Sequence, residues 1–75
     1  MKNADFEKIK DDGVEQLEVA LVKSGLPVIW AAERLDVTST TIARLLTKKY
    51  RPSLEMAIAM IDLAKKIDKI VAAGL

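Results

Sequence analysis

The sequence predicts an all-α fold: one compact domain of four to five helices, closed by a long C-terminal helix. Three observations predict it. Apolar residues recur at three- and four-residue spacings through most of the chain, the period that places them on one face of a helix. Glycine, proline and hydroxyl residues fall between these stretches, where helices stop and start. No run alternates apolar and polar residues convincingly enough for a strand. At 75 residues there is room for one small domain, and a chain of this size buries only about 60 to 65% of its unfolded surface.

The first helix reads as residues 13 to 24. Asp12 and Glu15 resemble an acidic capping box, and Val14, Leu17, Leu21 and Val22 repeat at helical spacing. Ahead of it, residues 1 to 12 read as an arm or a short separate helix, anchored only by Phe6 and Ile9. Gly25 supplies a left-handed residue to end the first helix, and Pro27 suits the first turn of the next. From Val28, residues 28, 31, 32 and 35 share one face. Asp36 then makes a corner, being one of the few residue types that tolerates positive φ. Thr38 is positioned to cap a further helix whose inward residues are Ile42, Leu45 and Leu46. Its outward side carries Thr40, Ala43, Arg44, Thr47 and Lys48, with Ser39 and Thr41 at the flanks.

Pro52 disfavours helix at the residue before it, so the segment KKYRP closes that helix, and Ser53 can cap the last one. The final helix reads from Leu54 to about Ala73 and shows two apolar stripes. Leu54, Ala57, Ile58 and Ile61 form one. Met56, Met60, Leu63, Ile67 and Ile70 form the other, with the 4, 3, 4, 3 spacing of a heptad seam. The arm offers only Phe6 and Ile9 to cover the second stripe, so it is expected to be a homodimer interface, and residues 53 to 73 a dimerisation helix.

Composition narrows the chemistry. The chain has no cysteine and no histidine, which leaves no disulfide framework, no thiolate metal site and no ordinary zinc site. Catalysis has little to work with, since Asp11 and Asp12 are adjacent and point in different directions. No metal, cofactor or small-molecule ligand is expected. The polar N-terminus lacks an apolar signal core, and no run reaches the roughly 20 apolar residues of a membrane span. A reduced, cytoplasmic protein is the expectation. Net charge is +1, unevenly spread: residues 1 to 22 hold three basic and six acidic side chains, and residues 23 to 51 hold six and two. The positive excess lies in the segment that holds the two central helices and their flanks, as a phosphate-facing surface requires.

The stretch VIWAAERLDVTSTTIARLL, residues 28 to 46, thus reads as a helix-turn-helix unit spanning residues 28 to 47. It resembles the corresponding unit of the Cro and repressor-like (Xre) transcription factors. In that family the fifth residue of the unit is small, here Ala32, and positions four, eight, ten, fifteen and eighteen are apolar, here Ala31, Leu35, Val37, Ile42 and Leu45. RPSLEMAIAM, further on, is similar to the turn and fourth helix that follow, and the resemblance covers about residues 13 to 65. Two positions depart from the pattern. Asp36 stands where glycine is usual, and Leu26, Pro27 and Val28 replace the polar cap and phosphate-touching glutamine of many members.

What the resemblance implies is sequence-specific binding of double-stranded DNA by a small homodimeric regulator on a two-fold symmetric operator, with the second helix of the unit in the major groove. Base contacts then fall on Ser39, Thr40 and Arg44. Phosphate contacts fall on Thr38, Thr41, Lys48, Lys49 and Arg51. An alternative of another class is a protein-interaction module, or an antitoxin-like adaptor, that reuses the same fold and binds through Trp30 and the long helix. Trp30 points away from the inward face of its helix, and the expectation is that Phe6 and Ile9 cover it.

Overall fold

The computed structural model describes residues 3–74, with side chains from residue 6 onward. Four helices occupy the described residues and none of these residues is in a strand: α1 (Asn3–Ser24), α2 (Val28–Leu35), α3 (Ser39–Leu46) and α4 (Leu54–Ala72). The all-α expectation and the long last helix are met.

α1 corrects the reading of the N-terminal third. In place of an arm and a helix from residue 13, a single helix of 22 residues runs through Gly13. Asp12 is therefore an interior residue and no capping box forms. The cause is tertiary. α1 and α4 lie side by side and run the same way: Glu7 and Asp11 meet Arg51 just ahead of α4, Gly13 meets Ala57, and Val19, Ala20 and Lys23 share a groove with Ala64 and Asp68. A Cβ built on Gly13 would stand 2.8 Å from the Ala57 carbonyl oxygen. The glycine that weakens helix propensity is what lets the two helices touch, and packing overrides propensity.

The same contact covers most of the expected dimer seam from within the chain. Met60, Leu63 and Ile67 are buried within the single chain, and Met56 packs partly buried against the same cluster. The C-terminal half of α1, the part expected as a helix, contributes Val14, Leu17, Ala20 and Leu21 to the same core cluster, a cover that Phe6 and Ile9 of the arm were not needed to supply. Of the five expected interface residues, Met56, Met60, Leu63 and Ile67 thus serve the chain's own core, and Ile70 lies half-buried one turn further on. The first stripe does not hold together either: Ala57 is buried whereas Ile58 is 50% exposed. α4 buries one face, centred between the two stripes.

α2 and α3 pack on this pair. Leu35 of α2 lines a cleft with Ala59 and Leu63, and Leu45 of α3 lines another with Val14. Ala31, Ala32, Ile42 and Leu45 complete the core, and no polar or charged side chain is buried among the described residues. Trp30 lies partly buried against the core cluster, with the Arg34 guanidinium carbon 4.5 Å from its ring centroid. Phe6 and Ile9, expected to cover it, sit on the α1 turns beside Glu7, which meets Arg51.

Candidate nucleic-acid interface

The corner between α2 and α3 is built from three residues. Asp36 adopts φ 58° and ψ 44°, the left-handed conformation expected of it. Its amide donates to the Glu33 carbonyl at 3.3 Å and the Val37 amide donates to the Ala32 carbonyl at 3.0 Å, which satisfies two of the carbonyls a helix end leaves open. Val37 then packs its side chain against the core. Thr38, extended at φ −79° and ψ 156°, caps α3: its hydroxyl accepts from the Thr41 amide at 3.1 Å. The hydroxyls of Thr38 and Thr41 also share a hydrogen bond of 3.0 Å. Helix geometry leaves the Ser39 and Thr40 amides without partners inside the helix, pointing out from its N-terminal end.

α3 is eight residues long and buries Ile42 and Leu45. Its other side faces solvent: Ser39, Thr40, Ala43, Arg44 and Thr47 are all exposed, and Thr41 is half-buried. No acid and no large apolar side chain lies among them. The three residues expected to read bases, Ser39, Thr40 and Arg44, therefore share one open surface with Thr38 at its start.

The C-terminal end of α3 holds a feature that the sequence did not announce. Lys48 has φ 64°, the left-handed region that glycine usually fills at this position. Its amide donates to the Leu45 carbonyl at 3.2 Å, and the Lys49 amide to the Arg44 carbonyl at 2.9 Å. Val37 and Lys49 thus close the same type of turn after α2 and α3. Lys48 and Lys49, two of the expected phosphate contacts, are exposed just past the helix end.

The turn also brings Tyr50 back to Arg44, a contact no sequence pattern flagged. Arg44 Nη1 donates to the Tyr50 hydroxyl at 2.7 Å, and the guanidinium carbon lies 5.5 Å from the ring centroid.

Arg51 is engaged elsewhere. Its Nη2 donates to Asp11 Oδ1 at 2.8 Å, and its Nη1 lies 2.6 Å from Glu7 Oε2, a charge contact whose angle is not that of a hydrogen bond. Instead of lying free beside Lys49, Arg51 ties the segment ahead of α4 to two carboxylates of α1. Arg51 is separated from Asp11 by 40 positions, too far for any local pattern to signal.

Among the described residues, no group of three or more Asp, Glu, His or Cys side chains is placed to hold a metal, and no helix is long and apolar enough to cross a membrane. Comparison with protein-family models, with curated proteins and with solved structures finds no significant match to this chain.

Proposed function

We propose that the chain binds double-stranded DNA with sequence preference, α2 and α3 acting as a helix-turn-helix and α3 entering the major groove. One observation carries the reading: the solvent side of α3 presents Ser39, Thr40 and Arg44 with no acid or large apolar residue among them. A groove about 12 Å wide admits a helix of this kind. Arginine suits guanine because a guanidinium can donate to O6 and N7 at once, worth about 1 to 3 kcal/mol of discrimination. Ser39 and Thr40, at the first turn, supply short hydroxyls to bases near the helix entry.

Thr38, Thr41, the first amides of α3, Lys48 and Lys49 are the phosphate contacts in this reading. Arg51 is left out because Glu7 and Asp11 match its charge. Pairing through α4 is left out as well, because Met60, Leu63 and Ile67 are core residues. The unit read is then one half-site, and the protein a small transcriptional regulator of phage or bacterial type acting on DNA in the cytoplasm.

The test is a fluorescence-anisotropy titration against random duplex at low salt, followed by selection of bound duplexes from a random pool. Micromolar or tighter binding that weakens steeply with salt, with an enriched motif, is the expected result. No binding in that range would reject the reading and favour a protein partner on the exposed apolar residues Val22 and Ile29.

A further inference from the structure

We infer that Tyr50 is a positioning residue for Arg44, so that sequence preference depends on a side chain outside the recognition helix. The inference rests on the DNA-binding reading and deepens it.

An arginine on an exposed helix face has four rotatable side-chain torsions and samples many rotamers. Presenting it to one base requires that freedom to be given up on binding. Here it is restrained beforehand. The Tyr50 hydroxyl accepts from Arg44 Nη1 at 2.7 Å, and the guanidinium carbon lies over the tyrosine ring, 5.5 Å from its centroid. A guanidinium carries five N–H donors. One bond to Tyr50 leaves four, enough for a two-donor edge toward guanine O6 and N7. Tyr50 fixes the group without exhausting it.

The placement of Tyr50 is built into the backbone. Lys48 at φ 64° reverses the chain, and the Lys49 amide (2.9 Å) and the Tyr50 amide (3.4 Å) both donate to the carbonyl of Arg44 itself. Tyr50 also lines a cleft with Val14, Leu45 and Pro52, and its neighbour Arg51 is held by Asp11 and Glu7. The backbone on either side of the tyrosine is thus fastened, by the turn before it and by the ion pairs after it. Tyr50 is the only tyrosine in the chain, which simplifies its assignment.

The experiment is a double-mutant cycle with Tyr50→Phe and Arg44→Ala, read as relative affinity for the selected duplex and for its single-base variants. Arg44 guanidinium Nε–H resonances are recorded on the free protein beside it. Tyr50→Phe removes the hydroxyl and keeps the ring. It should reduce discrimination at the base position that Arg44 reads by about threefold to tenfold, the cost of ordering one long side chain on binding. Other positions and the salt dependence should stay unchanged. In the Arg44→Ala background, Tyr50→Phe should have no further effect, and in the free protein it should shift and broaden the Arg44 Nε–H resonance.

A wild-type protein that binds with an Arg44-dependent preference, while Tyr50→Phe leaves that preference and the Arg44 resonance untouched, overturns the inference and leaves the DNA-binding reading standing. A uniform loss across all base positions would make Tyr50 a backbone contact and also overturn it. A wild-type protein that binds no duplex overturns both.

Discussion

Gly13→Ala is a sharp test of how α1 and α4 meet, because helix propensity and packing predict opposite signs. On propensity alone, alanine inside a helix is favoured over glycine by about 1 kcal/mol. The added Cβ would stand 2.8 Å from the Ala57 carbonyl oxygen, 3.1 Å from its Cα and 3.2 Å from its Cβ. The closest atoms are backbone of a facing helix, so no side chain can swing aside, and the two helices must separate by several tenths of an ångström. Separation would loosen the contacts of Met60, Leu63 and Ala64 with α1. Forcing a methyl into a packed site costs about 1 to 3 kcal/mol, and the tight backbone contact puts this case at the upper end. Set against the propensity gain, a net loss of about 1 to 2 kcal/mol is expected. For a domain of this size 1 kcal/mol moves Tm by about 4 to 8 °C, so circular-dichroism melting should show a drop of roughly 5 to 15 °C. Gln16→Ala, on the exposed side of the same helix, should change Tm little. An increase in Tm for Gly13→Ala would refute the reasoning. It is the result expected if a helix began at residue 13 behind a loose arm.

Leu63→Glu should unfold the chain, because it places a carboxylate in the core of a domain whose whole stability is of order 4 to 11 kcal/mol. A folded variant that only changed sedimentation would restore α4 as an interface. Thr38→Ala removes the hydroxyl that accepts from the Thr41 amide and should cost about 1 kcal/mol in urea unfolding. Arg51→Met, which breaks exposed contacts to Glu7 and Asp11, should cost no more than about 1 kcal/mol, with the difference from wild type shrinking in high salt. Arg44→Ala should relax preference at one base position, whereas Lys49→Ala should weaken all duplexes alike and reduce the salt slope by about one, both read by anisotropy titration.

Much of the chain from Val28 to Ser53 was legible because its signals are local. The corner at Asp36, the cap at Thr38, the cap at Ser53, whose hydroxyl accepts from the Met56 amide at 3.1 Å, and the inward residues Ile42 and Leu45 each depend on neighbours within a few positions, and periodicity and capping chemistry act over that range. Gly13 was not legible for the opposite reason. In sequence it is a poor helix residue between Asp12 and Val14, and only the approach of Ala57, 44 positions away, explains it. The expected dimer seam rested on a different oversight. A 4, 3, 4, 3 stripe records that a helix buries one face and not whether the cover belongs to the same chain, and the expectation counted only Phe6 and Ile9 as cover, whereas Val14, Leu17, Ala20 and Leu21 share the core with Met60, Leu63 and Ile67. Lys48 went unread because lysine carries no signature of positive φ. The hydrogen bonds of the turn hold it there at a cost of about 1 to 2 kcal/mol. With Lys48 unread, Tyr50 could not be placed on Arg44.

The exposed face of α3 is held in place by residues distant from it in the sequence. A helix of eight residues is too short to persist in water by itself, so α3 takes its order from Ile42 and Leu45 in the core, from the Thr38 cap and from the turn at Lys48. That turn leads to Tyr50 and Arg51, and Arg51 is fastened to Glu7 and Asp11 on the first half of α1. Continuity of α1 through Gly13 therefore joins two roles in one helix. The part after Gly13 covers the buried face of α4 with Val14, Leu17, Ala20 and Leu21, and the part before it carries the two carboxylates that fasten the segment following α3. An arm loose up to residue 12 would leave that segment unfastened and Tyr50 free to leave Arg44. The acidic character of the N-terminal third, which would repel DNA if it lay on the same face as α3, is in part spent neutralising a cation ahead of α4. The positive charge left at the end of α3 belongs to Lys48 and Lys49, both exposed, with Arg44 beside them.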